Sequence, residues 1–415
     1  MNTPYQWTIQ NGAYQKFQKG SPWLYLSDLA DYPKGTPPGA VVELLDNRGQ
    51  FLAYGHGNLM SQISFKKLSQ FKSEQIDKNW LVAKMISAYH YRSSLNLTQQ
   101  SFRWIFAEAD GLPGLVVDYF LSPDSIALIS FQVSSAGMEQ LIGSGEEIFK
   151  QVLKNLKLDE SKHILIRKNN SSSRIEEGLL VEEAQIIFSC VEVNKIQNFP
   201  FLIKDKIVLR ADLLSGQKTG FFLDQSWNLA LAKNFLTGKE VKVLDLFTYI
   251  GQWGIFLGHN LKQLGTNPTI DFVDSSQSAL EFCGQNAGEL NHEIHKVDII
   301  HKAEMIPNGP YDIIVCDPPA LIKKKKDFQA GRRAYEKSNR ESLKRIKDNG
   351  LFITCSCSHH LSEEDLMAVV SEAAQLERKK IILLAKGQQG HDHPVVIGFH
   401  QGFYLKALFF KVQSI

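Results

Sequence analysis

Cysteine is scarce in this sequence and does not pair by spacing: Cys190, Cys283, Cys316, Cys355 and Cys357 are five scattered residues with no CxxC among them. That excludes the common zinc and redox frameworks, so no metal site is expected and the thiols point to a reducing compartment. Long apolar runs are missing too. Without about 18 consecutive apolar residues no membrane helix is read, and the start MNTPYQWTIQNGAYQ lacks the charged-then-apolar plan of a secretory signal. The expected location is cytoplasmic. A strong charge bias is also absent. The net charge of +2 is too small to announce nucleic acid, yet no bar to it, because a basic footprint can be local.

What is present is a chain of 415 residues, 43% hydrophobic and 22% charged, a balance that builds cores rather than disorder. The length exceeds the roughly 250–300 residues at which one core stops growing, so two or three domains are expected. Up to about residue 72, KGSPWLYLSD, PKGTPPGAVVELLDNRGQFLAYGHGN and SQISFKKLS read as short strands broken by glycine and proline, a small β-barrel or sandwich. This part holds seven Lys or Arg against four Asp or Glu. From about Asp77 to Leu97 the apolar residues recur at three- and four-residue spacing, which predicts an amphipathic helix. Strand-like FRWIFAEADGLPGLVVDYF and SIALISFQV follow, then a helical stretch near Ala136 to Leu156 and strand-like HILIRKN. The segment to about Pro200 is a mixed α+β region in which DGLPG reads as a structural turn.

After Pro200 the pattern alternates between strand and helix: VKVLDLF, IGQWGIFLGHNL, TIDFVDS, SQSALEFCGQNAGELN, HKVDII, YDIIVCDPP, a helix across Gly331 to Lys347, and GLFITCSCS. Such alternation predicts a parallel, doubly wound sheet, an α/β Rossmann-like domain whose ligand lies beyond the carboxyl ends of the strands. The first strand ends in Asp245 and runs into LFTYIGQWG, where Gly251 and Gly254 open a helix. Three glycines at GxGxxG spacing are lacking, so a pyrophosphate ligand is disfavoured. S-adenosylmethionine, which carries a sulfonium and an amino acid instead, fits better. Asp245 would accept from its ammonium group, Asp274 at the second strand end from ribose hydroxyls, and Asp298 after HKV from the adenine amino group. Phe247, Tyr249, Gly251 and Ser275, on the loops beside them, complete the cofactor-binding set with Asp317. Any one acidic strand end alone reads as a helix N-cap; four in succession point to a nucleoside-type cofactor.

Strand four places Asp317 before Pro318 and Pro319, which stiffen the loop and remove donors. Elements of this kind occur in enzymes that methylate base nitrogens, usually with an aromatic residue next, but Ala320 and Leu321 follow here. Strand five delivers Cys357 to the same rim. A thiolate adding to C6 of cytosine would activate C5 toward a methyl donor, with Asp317 holding the base edge and the base single-stranded or flipped out. A lone cysteine in an apolar strand ordinarily packs in a core, the reading given to Cys316 and Cys355. Cys357 sits between two serines before polar HHLSEED, where exposure is expected. Its thiol needs a cationic neighbour or local dipoles to ionise near neutrality; His359 and His360 are near in sequence, though surface or capping roles are ordinary for both. Lys323 to Lys326, with Arg332 and Arg333, reads either as a solvated face or as a run that binds RNA phosphates.

GQKTGFFLDQ (Gly216 to Gln225), DLFTYIGQWG, VDSSQSALE, DPP and SCS together resemble the bacterial large-subunit ribosomal RNA cytosine-C5 methyltransferases that carry an N-terminal PUA domain. The likeness runs on through KGSPWLYLS, FAEADGLPGLVVD, HDHPV and GFYLKALFFKV. It implies a PUA-like RNA-binding domain at 1–75, a central α+β domain at 76–200 and a class I methyltransferase domain at 201–415. It also implies Phe222, Asp224 and Gln225 as residues that enclose the cofactor, Cys357 as nucleophile, and 23S rRNA or a large-subunit assembly intermediate as partner. No membrane partner is expected, and a homodimer is admitted. The chain departs from the family pattern at Ser226 and Leu229, where arginines are common, at Gly251-Gln252 in place of paired glycines, and at Ala320-Leu321 in place of Lys-Phe. A related guanine-N7 branch shares the fold but lacks SCS. Two alternatives stay open: methylation of another base, such as guanine N7, and an RNA-binding factor with a decayed methyltransferase domain.

Overall fold

The computed structural model describes residues 4–216 and 219–415, so residues 217 and 218 of the GQKTG stretch lie outside the described residues. The chain forms two compact units. The first comprises Met1–Leu202, Ala211–Leu223 and His391–Gly402; the second comprises Ile203–Arg210, Asp224–Gly390 and Phe403–Ile415. Among the described residues no helix is long and apolar enough to cross a membrane.

In the first unit the strands near the N-terminus make one six-stranded sheet in the order Trp23–Tyr25, Ile63–Ser69, Phe51–Gly57, Ala40–Leu45, Tyr5–Ile9, Leu29–Asp31. AVVELL alternates as read, burying Val42 and Leu44 against Trp7, Ala53 and Phe65. The DNRG turn closes with Asp46 N–H donating to the Gln50 carbonyl at 2.9 Å, and Gly49 takes φ +75°. A helix at Asn11–Gln18, not read from the sequence, follows the first strand.

A second, five-stranded sheet lies in the same unit. The amphipathic helix spans Lys78–Ser94, with the Asp77 carboxylate accepting from Trp80 N–H at 2.9 Å as its N-cap. The stretch expected as one helix near Ala136 is two, Ala136–Ile142 and Glu146–Asn155. The break falls at Gly143 and Gly145, both at positive φ, where side-chain-bearing residues are disfavoured. DGLPG is a turn with Gly111 and Gly114 at positive φ, and Asp110 accepts from both Arg92 and the Phe106 N–H.

The second unit is built on one seven-stranded sheet. Its strands are β1 Lys242–Leu246, β2 Thr269–Asp274, β3 Asn291–Lys296, β4 Tyr311–Cys316, β5 Ile346–Ser356, β6 Lys379–Gln388 and β7 Lys406–Ser414, in spatial order 3-2-1-4-5-7-6. The helices used below are α1 Ser226–Ala232, α2 Gln252–Gln263, α3 Gln277–Ala287, α4 Phe328–Arg345 and α5 Glu363–Leu376. β1 to β5 pair parallel, as the alternation predicts. The sheet as a whole is mixed, however, because β7 runs antiparallel between β5 and β6. Strand order reverses at β1, between β2 and β4, and that is where an open α/β sheet leaves a crevice.

A second correction concerns β3. HKVDII was expected to be the strand, but pairing with β2 runs from Asn291 to Lys296. Asp298 therefore lies beyond the strand, in a turn. The helix across Gly331 to Lys347 begins earlier, at Phe328, and stops at Arg345.

Candidate active site

The carboxyl ends of β1, β2 and β4 lie side by side, since Leu246 is in register with both Val273 and Cys316. Asp245, 1% exposed, uses one carboxylate oxygen twice: Oδ2 accepts from Thr248 Oγ1 at 2.6 Å and from Gly254 N–H at 2.8 Å. The second bond satisfies one of the N–H groups that the first turn of α2 leaves unpaired. Its other oxygen, Oδ1, is buried and has no hydrogen-bond partner among the described residues. Burial pushes the Asp245 carboxyl up to about 7, against the two hydrogen bonds and with help from Asp274.

The loop between β1 and α2 is held in an uncommon shape. Phe247 at φ +61° and Tyr249 at φ +52° are left-handed, as is Gly251 at φ +94°, and such clustering of costly backbone marks ligand sites. Thr248 N–H donates to the Val273 carbonyl at 3.1 Å and Tyr249 N–H to Asp274 Oδ2 at 2.9 Å, which ties the loop to the end of β2. At Gly254 a Cβ would fall on the Phe272 ring and within 3.1 Å of Asp245 Oδ2. Phe247 and Tyr249 are half-buried beside this cradle.

Asp274 is half-buried and Ser275 exposed. The helix cap after β2 is Ser276, whose Oγ accepts from Ala279 N–H at 3.3 Å, so the capping reading of an acidic strand end does not apply to Asp274. Asp298 is exposed and accepts from His301 N–H at 3.0 Å, a turn contact.

Asp317, half-buried, accepts from Gln225 Nε2 at 2.7 Å and from Trp253 Nε1 at 3.1 Å. Gln225 is fixed by Asn228, whose Nδ2 donates to its Oε1 at 2.7 Å. Burial, then the charge of Asp224, pushes the Asp317 carboxyl up to about 7. Asp224 itself accepts from Tyr404 Oη at 2.5 Å. Trp253, Asn228 and Tyr404 are the members of this cluster that sequence reasoning did not single out. Phe222, expected to help enclose the cofactor, falls in the first unit and is half-buried there.

β5 pairs Thr354 with Cys316, which brings Cys355 level with Asp317 and carries Cys357 just past the strand end. Cys316 and Cys355 are fully buried, as expected, and burial drives both thiols up, Cys316 to about 12. Cys357 is half-buried. The exposure expected at Cys357 is thus only partial, and the serines beside it are buried: Ser356 and Ser358 are 0% and 1% exposed. Both hydroxyls lie 2.9 Å from Tyr335 Oη on α4, and that internal bonding is what lets polar residues sit there. Lys323 to Lys326, after the two prolines, are all exposed.

Comparison with known proteins agrees with this architecture. Residues 8–70 match the model of a PUA-like domain, and residues 223–384 that of the methyltransferase small domain. The protein named ribosomal RNA large subunit methyltransferase I in Shewanella denitrificans is 26% identical, over 97% of this chain and 98% of its own length. That of Tolumonas auensis is 29% identical, over 96% and 97%. Among solved structures, a SAM-dependent methyltransferase from Streptococcus mutans superposes with a TM-score of 0.75 at 18% identity, over 98% of this chain and 99% of that one. A methyltransferase solved with SAH reaches 0.76 at 19% identity, with the same coverage.

Proposed function

We propose that this chain, an S-adenosylmethionine-dependent RNA methyltransferase with a PUA-like N-terminal domain, forms 5-methylcytosine in the RNA of the large ribosomal subunit. The observation that carries the reading is the β4–β5 register, which sets the turn bearing Cys357 at the same sheet edge as Asp317. The domain limits 1–75, 76–200 and 201–415 and the roles of the site residues belong to the same proposal, as do 23S rRNA or an assembly intermediate as substrate and the homodimer.

The residues at β1 and β2 fit the cofactor. Oδ1 of Asp245 is an acceptor in want of a donor, which an α-ammonium group supplies; leaving such a group unpaired costs about 1–3 kcal/mol. Asp274 faces the role of ribose acceptor with its carboxylate already steadied by Tyr249 N–H and Ser276 N–H. Phe247, Tyr249, Gly251, Ser275 and Asp298 stand on the remaining loops, with Gln225 from the preceding motif. S-adenosylmethionine, when bound, supplies an electrophilic methyl group.

The Cys357 thiolate gives its lone pair to C6 of the target cytosine, and the displaced π pair makes C5 nucleophilic enough to take that methyl group. Asp317, with a carboxyl that titrates near neutrality, is able to hold the N3 and amino edge as the ring charge changes. Loss of the C5 proton to a base re-forms the double bond, and the C6–S pair returns to sulfur. Exposed Lys323 to Lys326 offer phosphate contacts to the RNA.

The test is incubation of the purified chain with labelled S-adenosylmethionine and unmodified 23S rRNA, followed by nucleoside analysis. Labelled 5-methylcytidine is expected, and its loss in Cys357→Ala with cofactor binding intact. Label in 7-methylguanosine, or activity that survives Cys357→Ala, overturns the cysteine reaction; cofactor binding without any product favours a decayed enzyme.

A further inference from the structure

Ionising Cys357 near neutral pH requires a positive neighbour, and the two histidines that follow in sequence are not the only cations within reach. β7 begins at Lys406, which stands opposite Ser356 in the antiparallel pairing with β5. Its side chain does not turn outward. It is 4% exposed, and Nζ donates to the carbonyl oxygen of Ser358 at 2.6 Å. The ammonium is thus anchored to the residue directly after Cys357, within the turn that Ser356, Ser358 and Tyr335 hold closed. Burying an ammonium against a main-chain carbonyl does not repay its lost hydration, and burial accordingly pulls Lys406 down to about 8. Two acidic groups act against that loss, the thiol of Cys357 in the same turn and, after it, the carboxylate of Glu363.

We propose that Lys406 is a positioning residue that holds Cys357 as a thiolate ahead of its addition to C6. The inference rests on the reading of Cys357 as the nucleophile of the proposed reaction. Other titratable groups surround this turn. Tyr335 on α4 is a phenol pushed to about 12 by burial and stays neutral. Glu363 on α5 is acidic and already paired with Lys386 at 2.5 Å. Cys355 on β5 is buried with its thiol raised, beside Asp317. His359 lies with its ring 5.7 Å from that of Tyr404, and His360 is exposed. The same ammonium would also serve elimination, because a stabilised thiolate is the better leaving group when the C6–S bond breaks.

The experiment is alkylation of the full chain by iodoacetamide from about pH 6 to about pH 10, with the Cys357 adduct followed by peptide mass spectrometry so that exposed Cys190 is counted apart. The expected midpoint for Cys357 in the wild-type chain lies below the roughly 8.5 of an ordinary thiol. Lys406→Met raises that midpoint by about one unit and slows alkylation at neutral pH about tenfold, whereas Lys406→Arg keeps it low. A wild-type midpoint at or above the ordinary value overturns the proposal without recourse to any variant, and so does an unshifted midpoint in folded Lys406→Met. Methylation that survives Cys357→Ala would instead strike the reaction on which it rests, an outcome read in a different assay.

Discussion

The two oxygens of the Asp245 carboxylate differ: Oδ2 holds the start of α2 through Gly254 N–H, while buried Oδ1 has no partner among the described residues. Because burial raises its pKa to about 7, the folded protein keeps this proton to a higher pH than the unfolded chain does. Its contribution to stability is therefore full below about pH 4, and is lost as pH rises toward and through about 7. An ammonium ligand reverses the preference by pairing with the carboxylate. Cofactor affinity is accordingly expected to rise with pH up to about 7, with proton release on binding. Calorimetry in two buffers of different ionisation enthalpy reads that release, and Asp245→Asn should flatten the profile and weaken binding about 10- to 100-fold. A pH-independent affinity in the wild-type chain would remove Asp245 from the ammonium site. Asp245, Asp274 and Asp317 were legible as strand ends because each follows an apolar run that predicts where a strand stops, whereas the strand assigned to Asp298 ends earlier, at Lys296. Trp253 and Lys406 were not, since their meaning lies in Asp317 and in the Ser358 carbonyl, far away along the chain.

The β1–α2 connection combines left-handed backbone at Phe247, Tyr249 and Gly251 with a tightly packed helix start. Gly254 lies where a Cβ would press on the Phe272 ring, Ile270 Cγ2 at 3.0 Å and Asp245 Oδ2 at 3.1 Å. Gly254→Ala should thus cost about 1–3 kcal/mol by overpacking and displace the Asp245 carboxylate. Urea unfolding together with equilibrium cofactor binding checks both parts; unchanged stability would show that the helix start has room to shift. Strand types were readable from alternation, but not their ends or their direction. β3 was placed too far along because HKVDII carries the more apolar run, whereas pairing with β2 selects Asn291 to Lys296. The reversed direction of β7 is a matter of which neighbours it pairs with, Thr354 opposite Leu408 for instance, and a local pattern holds no record of that.

At the scale of the whole chain, both units are assembled from segments distant in sequence. His391–Gly402 belongs to the first unit, where Arg92 donates to the Asp392 carbonyl at 2.7 Å and Asp392 Oδ2 accepts from Arg103 N–H at 2.8 Å. Arg92 is fully buried and also pairs with Asp110. Removing one partner of such a pair strands the other charge, so Arg92→Met should destabilise the first unit by about 3–5 kcal/mol and speed amide exchange across 391–402. Hydrogen exchange by mass spectrometry decides this, and unchanged protection of that segment would show that it is held by other contacts. The sequence by itself determined the α/β class, the β-rich start, the acidic ends at Asp245, Asp274 and Asp317, and the candidate thiol. Those follow from local hydrophobic period and from residue chemistry, which short segments carry whole. Only the tertiary structure decided which oxygen of Asp245 is left unpaired, that the serines around Cys357 are buried against Tyr335, and that a lysine near the end of the chain lies over that turn. Each depends on strand register and burial, and those are set by the packing of segments that no local pattern relates to one another.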